Sequence, residues 1–193
     1  MVNNISENNQ NVQQHNTIIT KLLNKDDPLE IEEFERVFYK AFKNIADPSL
    51  EAVFDIDHSQ RRIKTLIPYR NQEIMTARFE GSVIAASAVN FNMNAPLQLE
   101  KYGFSIDKTE DCICEGLFIF NVQPDLPFMF AFKERLLQYL ISQNIRKVYS
   151  TCSQKRIRGY RLLGFTDIDM GFFNGQKKYL LTMNLNNPDK SAQ

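Results

Sequence analysis

The chain is expected to fold as a mixed α/β domain: one central, mostly antiparallel sheet with a parallel strand pair inside it and helices on its flanks. Three features predict this. Cys112 to Phe165 reads strand, helix, strand, a crossover long enough to join two parallel neighbours. Glu80-Gly81 and Asn174-Gly175 each separate two apolar runs, the place where tight turns join antiparallel strands. Ahead of them, Phe34, Val37, Phe38, Ala41, Phe42 and Ile45 recur at the spacing of one helical face.

The size fits one domain with a substantial core, 193 residues in all. Residues 17–185 are expected to form it, between a disordered Asn/Gln/Ser-rich tail (1–16) and a polar, fraying end (186–193). An apolar fraction of 43% and a charged fraction of 24% are ordinary for a soluble globular chain. Basic and acidic residues balance at 23 each, which argues against a general nucleic-acid binder. Fifteen Phe and no Trp is an unusual aromatic balance, and the Phe residues cluster. Three Cys read as free thiols of a reducing, cytoplasmic setting. Two His (His15, His58), neither at ligand spacing from a Cys, argue against a metal centre. No stretch approaches the ~20 apolar residues of a membrane span, and the N-terminus lacks the pattern of a secretion signal.

In chain order, Asp27-Pro28-Leu29-Glu30 starts a helix. Asp27 serves as cap, Pro28 fits the first position, and Glu30 closes a capping box. The helix should end near Asp47-Pro48. Leu50 to Phe54 suits a weak helix or turn, and Arg61 to Pro68 a connection to the sheet. Glu73 to Phe79 and Ser82 to Met93 form a hairpin. The second strand is rich in Ala and Ser, which leaves room for bulky neighbours. Asn94 to Asp111 is a long loop, a length often functional in compact domains. Then come a strand (Cys112 to Asn121), a turn at Pro124, a helix (Leu126 to Ser142) and a strand (Lys147 to Cys152). A basic segment, a short helix and a final hairpin (Thr166 to Phe173, Gln176 to Leu185) complete the chain. Inside the apolar strand Ile113 to Phe120 stands a single carboxylate, Glu115, which must be paired, protonated or at work.

Three pieces in this order resemble the GNAT superfamily of N-acyltransferases, over roughly Glu73 to Leu185. Val122-Gln-Pro124-Asp125 is similar to the Val-x-Pro-Glu closing that family's fourth strand. Ile145 to Cys152 is similar to its fifth strand, and Tyr160-Arg-Leu-Leu-Gly164-Phe165 to its closing Tyr-x-x-x-Gly-Phe. The resemblance implies that the parallel strand pair is splayed. One piece departs. The family's glycine-containing pyrophosphate loop is replaced by Leu126-Pro-Phe-Met-Phe-Ala-Phe132, with no Gly and no basic residue before Lys133. Two explanations stand: a degenerate relative that does not bind CoA, or a donor without the diphosphate. Acyl carrier protein, whose phosphopantetheine carries one phosphodiester, is such a donor. Glu115 and the loop Pro96-Leu-Gln-Leu-Glu100 resemble the N-acyl amino acid and acylhomoserine lactone synthases, which use it.

This implies an N-acyltransferase moving an acyl group, a long one, from an acyl-phosphopantetheine thioester (acyl carrier protein or acyl-CoA) to a small primary amine such as an amino acid. No covalently bound cofactor is implied. Glu115 is then the expected base, its pKa raised by burial; the alternative is a structural ion pair with Arg78 or Arg158. Tyr160 is the expected acid for the leaving thiolate; the alternative is a ring packing a short helix. The resemblance sets Leu117, Phe118, Ile119, Phe120 and Val122 against the pantetheine arm, joined by Phe128, Ser153, Arg156 and Arg158. The basic run Lys155, Arg156, Arg158, Arg161 would meet phosphate or an acidic carrier; the alternative is a solvated helix face. Cys152 reads as a buried structural thiol. The rival readings are a catalytically silent domain of this fold, holding an acyl chain or a protein partner, and an ordinary acetyl-CoA enzyme with an atypical loop.

Overall fold

A computed structural model describes residues 17–45 and 47–185. Both expected tails, and His15 with them, lie outside the described residues. Nine strands and three α-helices follow in order: β1 (Ile19–Leu22), α1 (Pro28–Phe42), β2 (Phe54–Asp57), β3 (Arg62–Thr65), β4 (Gln72–Phe79), β5 (Ser82–Asn90), β6 (Ile113–Asn121), α2 (Met129–Ser142), β7 (Lys147–Ser153), α3 (Ile157–Leu162), β8 (Thr166–Phe173) and β9 (Gln176–Asn184), among the described residues. Seven strands form one sheet in the order β1-β4-β5-β6-β7-β9-β8, and β2 and β3 form a separate hairpin. Every pairing is antiparallel except β6 with β7.

The local chemistry explains the elements. Asp27 accepts a hydrogen bond from Leu29 N at 2.9 Å and Pro28 opens α1. Glu30 does not close a capping box; its carboxylate reaches further back, to Asn24 N at 3.0 Å and to Lys21. The helix stops at Phe42, about a turn before the proline. Both central residues of each hairpin turn take positive φ, Glu80 (51°) with Gly81 (80°) and Asn174 (48°) with Gly175 (73°). That geometry matches the strand twist.

α1 covers one face of the sheet and α2 the other. Phe34, Phe38, Phe42 and Phe54 meet Phe118 and Phe120 of β6 in one six-ring cluster, with Phe38 and Phe118 at 4.3 Å between centroids. Ala86 and Ala88 give these rings their room. On the opposite face Phe128 and Phe132 pack on Met75, Ala77 and Ala85. The small residues of β5 thus have bulky neighbours on both sides, as expected. The β2–β3 hairpin, read from sequence as a weak turn and a connection, is held to α1 by buried Glu35, which takes Arg62 Nε and Tyr69 OH at 2.6 Å each. No helix among the described residues is long and apolar enough to cross a membrane.

Candidate active site

β6 and β7 pair only from Ile113 with Lys147 to Gly116 with Ser150. Past that point they separate. β6 stays with β5 as far as Asn121, and β7 stays with β9 as far as Ser153, so the gap lies wholly between the two parallel strands. The cause is local. The β5–β6 register slips between Ala88 and Val89, leaving Leu117 as an extra residue with no partner in β5. Such a bulge bends and twists its strand, here at the residue after the last parallel pair. It also puts two consecutive side chains, Leu117 and Phe118, into the α1-side core, while Ile119 turns to the α2 side.

The gap opens on a cavity of about 460 Å³. Its walls come from both faces of the sheet: Phe42, Phe54, Gln98 and Tyr102 on the α1 side, Met129 at the start of α2, and Thr151, Cys152, Ser153, Arg156 and Tyr160 along β7 and α3. A smaller apolar cavity of about 50 Å³ lies between α2 and the sheet and shares Phe118, Ile119, Tyr160 and Leu163 with it.

Solved structures share the fold. The acylhomoserine lactone synthase LasI matches with a TM-score of 0.70 at 12% identity, covering 89% of this chain and 91% of that one. The CoA-dependent synthase BjaI, solved with SAM and isopentyl-CoA, gives 0.69 at 12%, covering 88% and 83%. FeeM, an N-acyl amino acid synthase from uncultured soil microbes, gives 0.59 at 14%, covering 88% and 91%. The chain has the GNAT fold. At these identities the likeness is one of fold. No protein-family model matches the chain, and no curated protein matches it.

Within the GNAT fold, the sequence-predicted residues divide. Tyr160, Leu117, Phe118, Ile119, Ser153 and Arg156 lie on the cavity wall. Phe120 is buried in the ring cluster, and Val122 continues the pairing with β5 by donating its N–H to Ile84 O at 2.9 Å. Phe128, expected against a ligand, turns inward to the core under α2, where it meets Phe132; Met129 takes the place on the wall. Arg158 is exposed on α3 and off the wall.

Glu115 requires the largest correction. It is 1% exposed and does not line the cavity. Its carboxylate accepts Leu99 N at 2.7 Å and Gln98 N at 3.1 Å, with Asn90 Nδ2 at 3.5 Å. Neither Arg78, which pairs with Glu33, nor Arg158 is its partner. Burial raises its pKa, and the two backbone N–H bonds pull the other way. A carboxylate whose oxygens are taken by the backbone does not reach a substrate; Glu115 instead fixes the loop that carries Gln98. Tyr160 keeps its proton: burial pushes the phenol up to about 12, with the nearby Cys152 adding to the effect. Its ring also meets Phe165 edge-on at 5.4 Å, so the packing role foreseen for it is present too.

The wall residues not singled out as site residues in the sequence include Gln98, Lys178, Asp47 and Cys152. Gln98, 6% exposed, donates Nε2 to Leu117 O at 2.8 Å, and its Oε1 has no partner among the described residues. Lys178 on β9 donates to Asp47 Oδ2 at 3.0 Å, with side chains 4% and 12% exposed. Its ammonium stands 4.9 Å from the centre of the Tyr102 ring. Although burial alone would raise the Asp47 pKa, bonds from Ser49 and Lys178 hold it below the usual range. Cys152 is 7% exposed, its thiol pushed by burial up to about 12.

Proposed function

We propose that this chain is an N-acyltransferase that moves an acyl group from a phosphopantetheine thioester to a small primary amine. The observation that carries the reading is the strand fork at Gly116 and Ser150, opening on a cavity walled from both faces of the sheet. An open strand edge offers backbone N–H groups to a thioester carbonyl and to the amides of the arm. Walls on both sides let two substrates meet through the sheet. The fold neighbours add support, since their names include acylhomoserine lactone and N-acyl amino acid synthases.

The chemistry follows from the wall. The amine's lone pair attacks the thioester carbon, whose oxygen takes up negative charge beside the backbone N–H groups of β6. The carbon–sulfur bond then breaks, and the electron pair leaves with sulfur. Tyr160 gives its proton to the thiolate; the surplus proton on nitrogen passes to solvent, and the phenolate takes one back. A phenol held near 12 is protonated throughout the neutral range, as an acid must be.

Phenyl rings along Phe42, Phe54 and Phe118 favour a fatty acyl group over acetyl. The stretch Leu126 to Phe132 uses Phe128 and Phe132 as core and offers no glycine to a diphosphate. That favours the single phosphodiester of acyl carrier protein, with Arg156 at the cavity mouth. The rival, a silent domain that holds an acyl chain, draws on Glu115 being off the wall. Incubation with acyl-carrier-protein and acyl-CoA thioesters of several lengths and a pool of amines, followed by mass analysis, separates the two. N-acyl products, with Tyr160→Phe slowing turnover about 10²- to 10⁴-fold, are expected. Thioester bound but never transferred would establish the silent domain.

A further inference from the structure

We propose that Ser150 is a positioning residue for the acid of the reaction: its hydroxyl rests on the carbonyl of Gly116 and turns to the Tyr160 oxygen as the phenol gives up its proton. This rests on the transferase reading above. Ser150 is the β7 member of the last parallel pair, opposite Gly116, so it stands where the fork opens. It is buried, and its Oγ donates to Gly116 O at 2.9 Å. Gly116, Ser150 and Tyr160 line the smaller cavity together, so the hydroxyl and the phenol share one mostly apolar space. Burial, with Cys152 adding to it, holds the Tyr160 pKa up; a hydrogen bond from Ser150 and the charge of Arg156 draw it down.

Two other polar side chains reach that space among the described residues. Ser87 Oγ is committed to Phe118 O at 3.0 Å, and Lys133 on α2 has Glu134 as a charge partner at 3.9 Å. Of the three, Ser150 alone belongs to the fork pair. A serine hydroxyl has one proton to give and turns about a single bond to place it. While the phenol is neutral, the Gly116 carbonyl receives that proton's hydrogen bond. As the phenol proton moves to the sulfur of the departing thiolate, negative charge grows on the phenol oxygen. A charged acceptor holds a donor roughly twice as strongly as a neutral one, so the hydroxyl turns to it. Ser150 keeps its own proton throughout. The phenolate is reprotonated from solvent, and the hydroxyl returns to Gly116. The added bond exists only while the charge does, so it lowers the barrier without tightening the ground state.

The test varies the leaving thiol. Rates are measured for octanoyl thioesters of N-acetylcysteamine, an alkyl thiol, and of thiophenol, an aryl thiol that departs as a stable thiolate, with an amine that the screen above finds acylated. In Ser150→Ala, kcat with the alkyl thioester should fall about 3- to 30-fold at unchanged KM, and with the aryl thioester less than about 2-fold. Ser150→Thr, which keeps the hydroxyl, should restore the alkyl rate to within about 3-fold. An equal loss for both thioesters, or a loss that falls on KM, would overturn the assignment. A second measurement needs no turnover: Tyr160 is replaced by 3-fluorotyrosine and its ionisation is followed by fluorine NMR. Removing the Ser150 hydroxyl should lower the ionisation constant about 10-fold. The other titratable or charged groups around the phenol, Cys152, Arg156, Lys133, Tyr102 and Lys178, are the same in both proteins, so the difference belongs to the hydroxyl. If Ser150→Ala does not fold, Ser150→Cys, similar in shape and a weaker donor, replaces it in both measurements. A lowered constant in a protein that acylates no amine would retire the transferase reading and keep the contact. Acyl transfer with the constant unchanged would do the reverse.

Discussion

Replacing Glu115 separates a buried clamp from a reacting base. In Glu115→Ala the Gln98 and Leu99 N–H groups, bonded at 3.1 and 2.7 Å in the native chain, are left in the core without acceptors. At about 1–3 kcal/mol for each buried donor stranded, the loss should be about 2–6 kcal/mol, read by urea unfolding. Glu115→Gln keeps one acceptor and turns an amide N–H₂ against the other donor, so about half that loss is expected. The pH dependence adds a signature. Burial raises the folded pKa above the ordinary 4.5, so the unfolded chain releases this proton first. Between 4.5 and the folded value the native state binds more protons. Stability contributed by Glu115 is therefore whole below 4.5 and is lost as pH rises through the folded pKa. Within that window wild type should lose up to about 1.4 kcal/mol per pH unit relative to Glu115→Gln. Stability unchanged to within about 0.5 kcal/mol in Glu115→Ala, with transfer abolished, would refute the clamp and restore the base.

Two other substitutions and probes test the core and the wall. Phe38→Ala removes a fully buried ring that touches five others and should cost about 3–5 kcal/mol in urea unfolding; a loss below about 1 kcal/mol would mean the cluster is not packed as described. Cys152, with its thiol near 12, should be alkylated by iodoacetamide at neutral pH at least about 100-fold more slowly than a free thiol, followed by peptide mass; rapid labelling would mean the wall is open to solvent.

Much of the fold was legible because its signals are local. Asp27 and Pro28 act within one helical turn, and Glu80-Gly81 and Asn174-Gly175 each fix a register by their own dihedral angles. The β6–α2–β7 unit needed only apolar runs of the right length. Missed elements lacked such signals. β1 is four residues long and mostly exposed, with Ile19 60% accessible, so no alternation marks it as half-buried. Strands β2 and β3 gain their stability from Glu35 on α1, a partner that neither strand's sequence contains.

The site was legible only where a side chain's role is set by its own strand. The fork residues Leu117 to Ile119 and the closing Tyr160 reach the cavity as their positions imply. Asp47, which reads as a helix stop, meets Lys178 across 131 residues of chain, and no spacing rule links two charges that far apart. Glu115 shows the opposite failure. An acidic residue in an apolar strand signals that something unusual is satisfied there, but the signal does not say by what. Here the loop folds back so that two of its own N–H groups supply the partners, which neither its length nor the resemblance of Pro96 to Glu100 foretells. The consequence reaches the cavity. The carboxylate holds Gln98 N, the Gln98 amide holds the bulge carbonyl of Leu117, and the bulge is where β6 leaves β7. A carboxylate off the cavity wall therefore sets the position of Gln98, a wall residue whose buried Oε1 has no partner among the described residues.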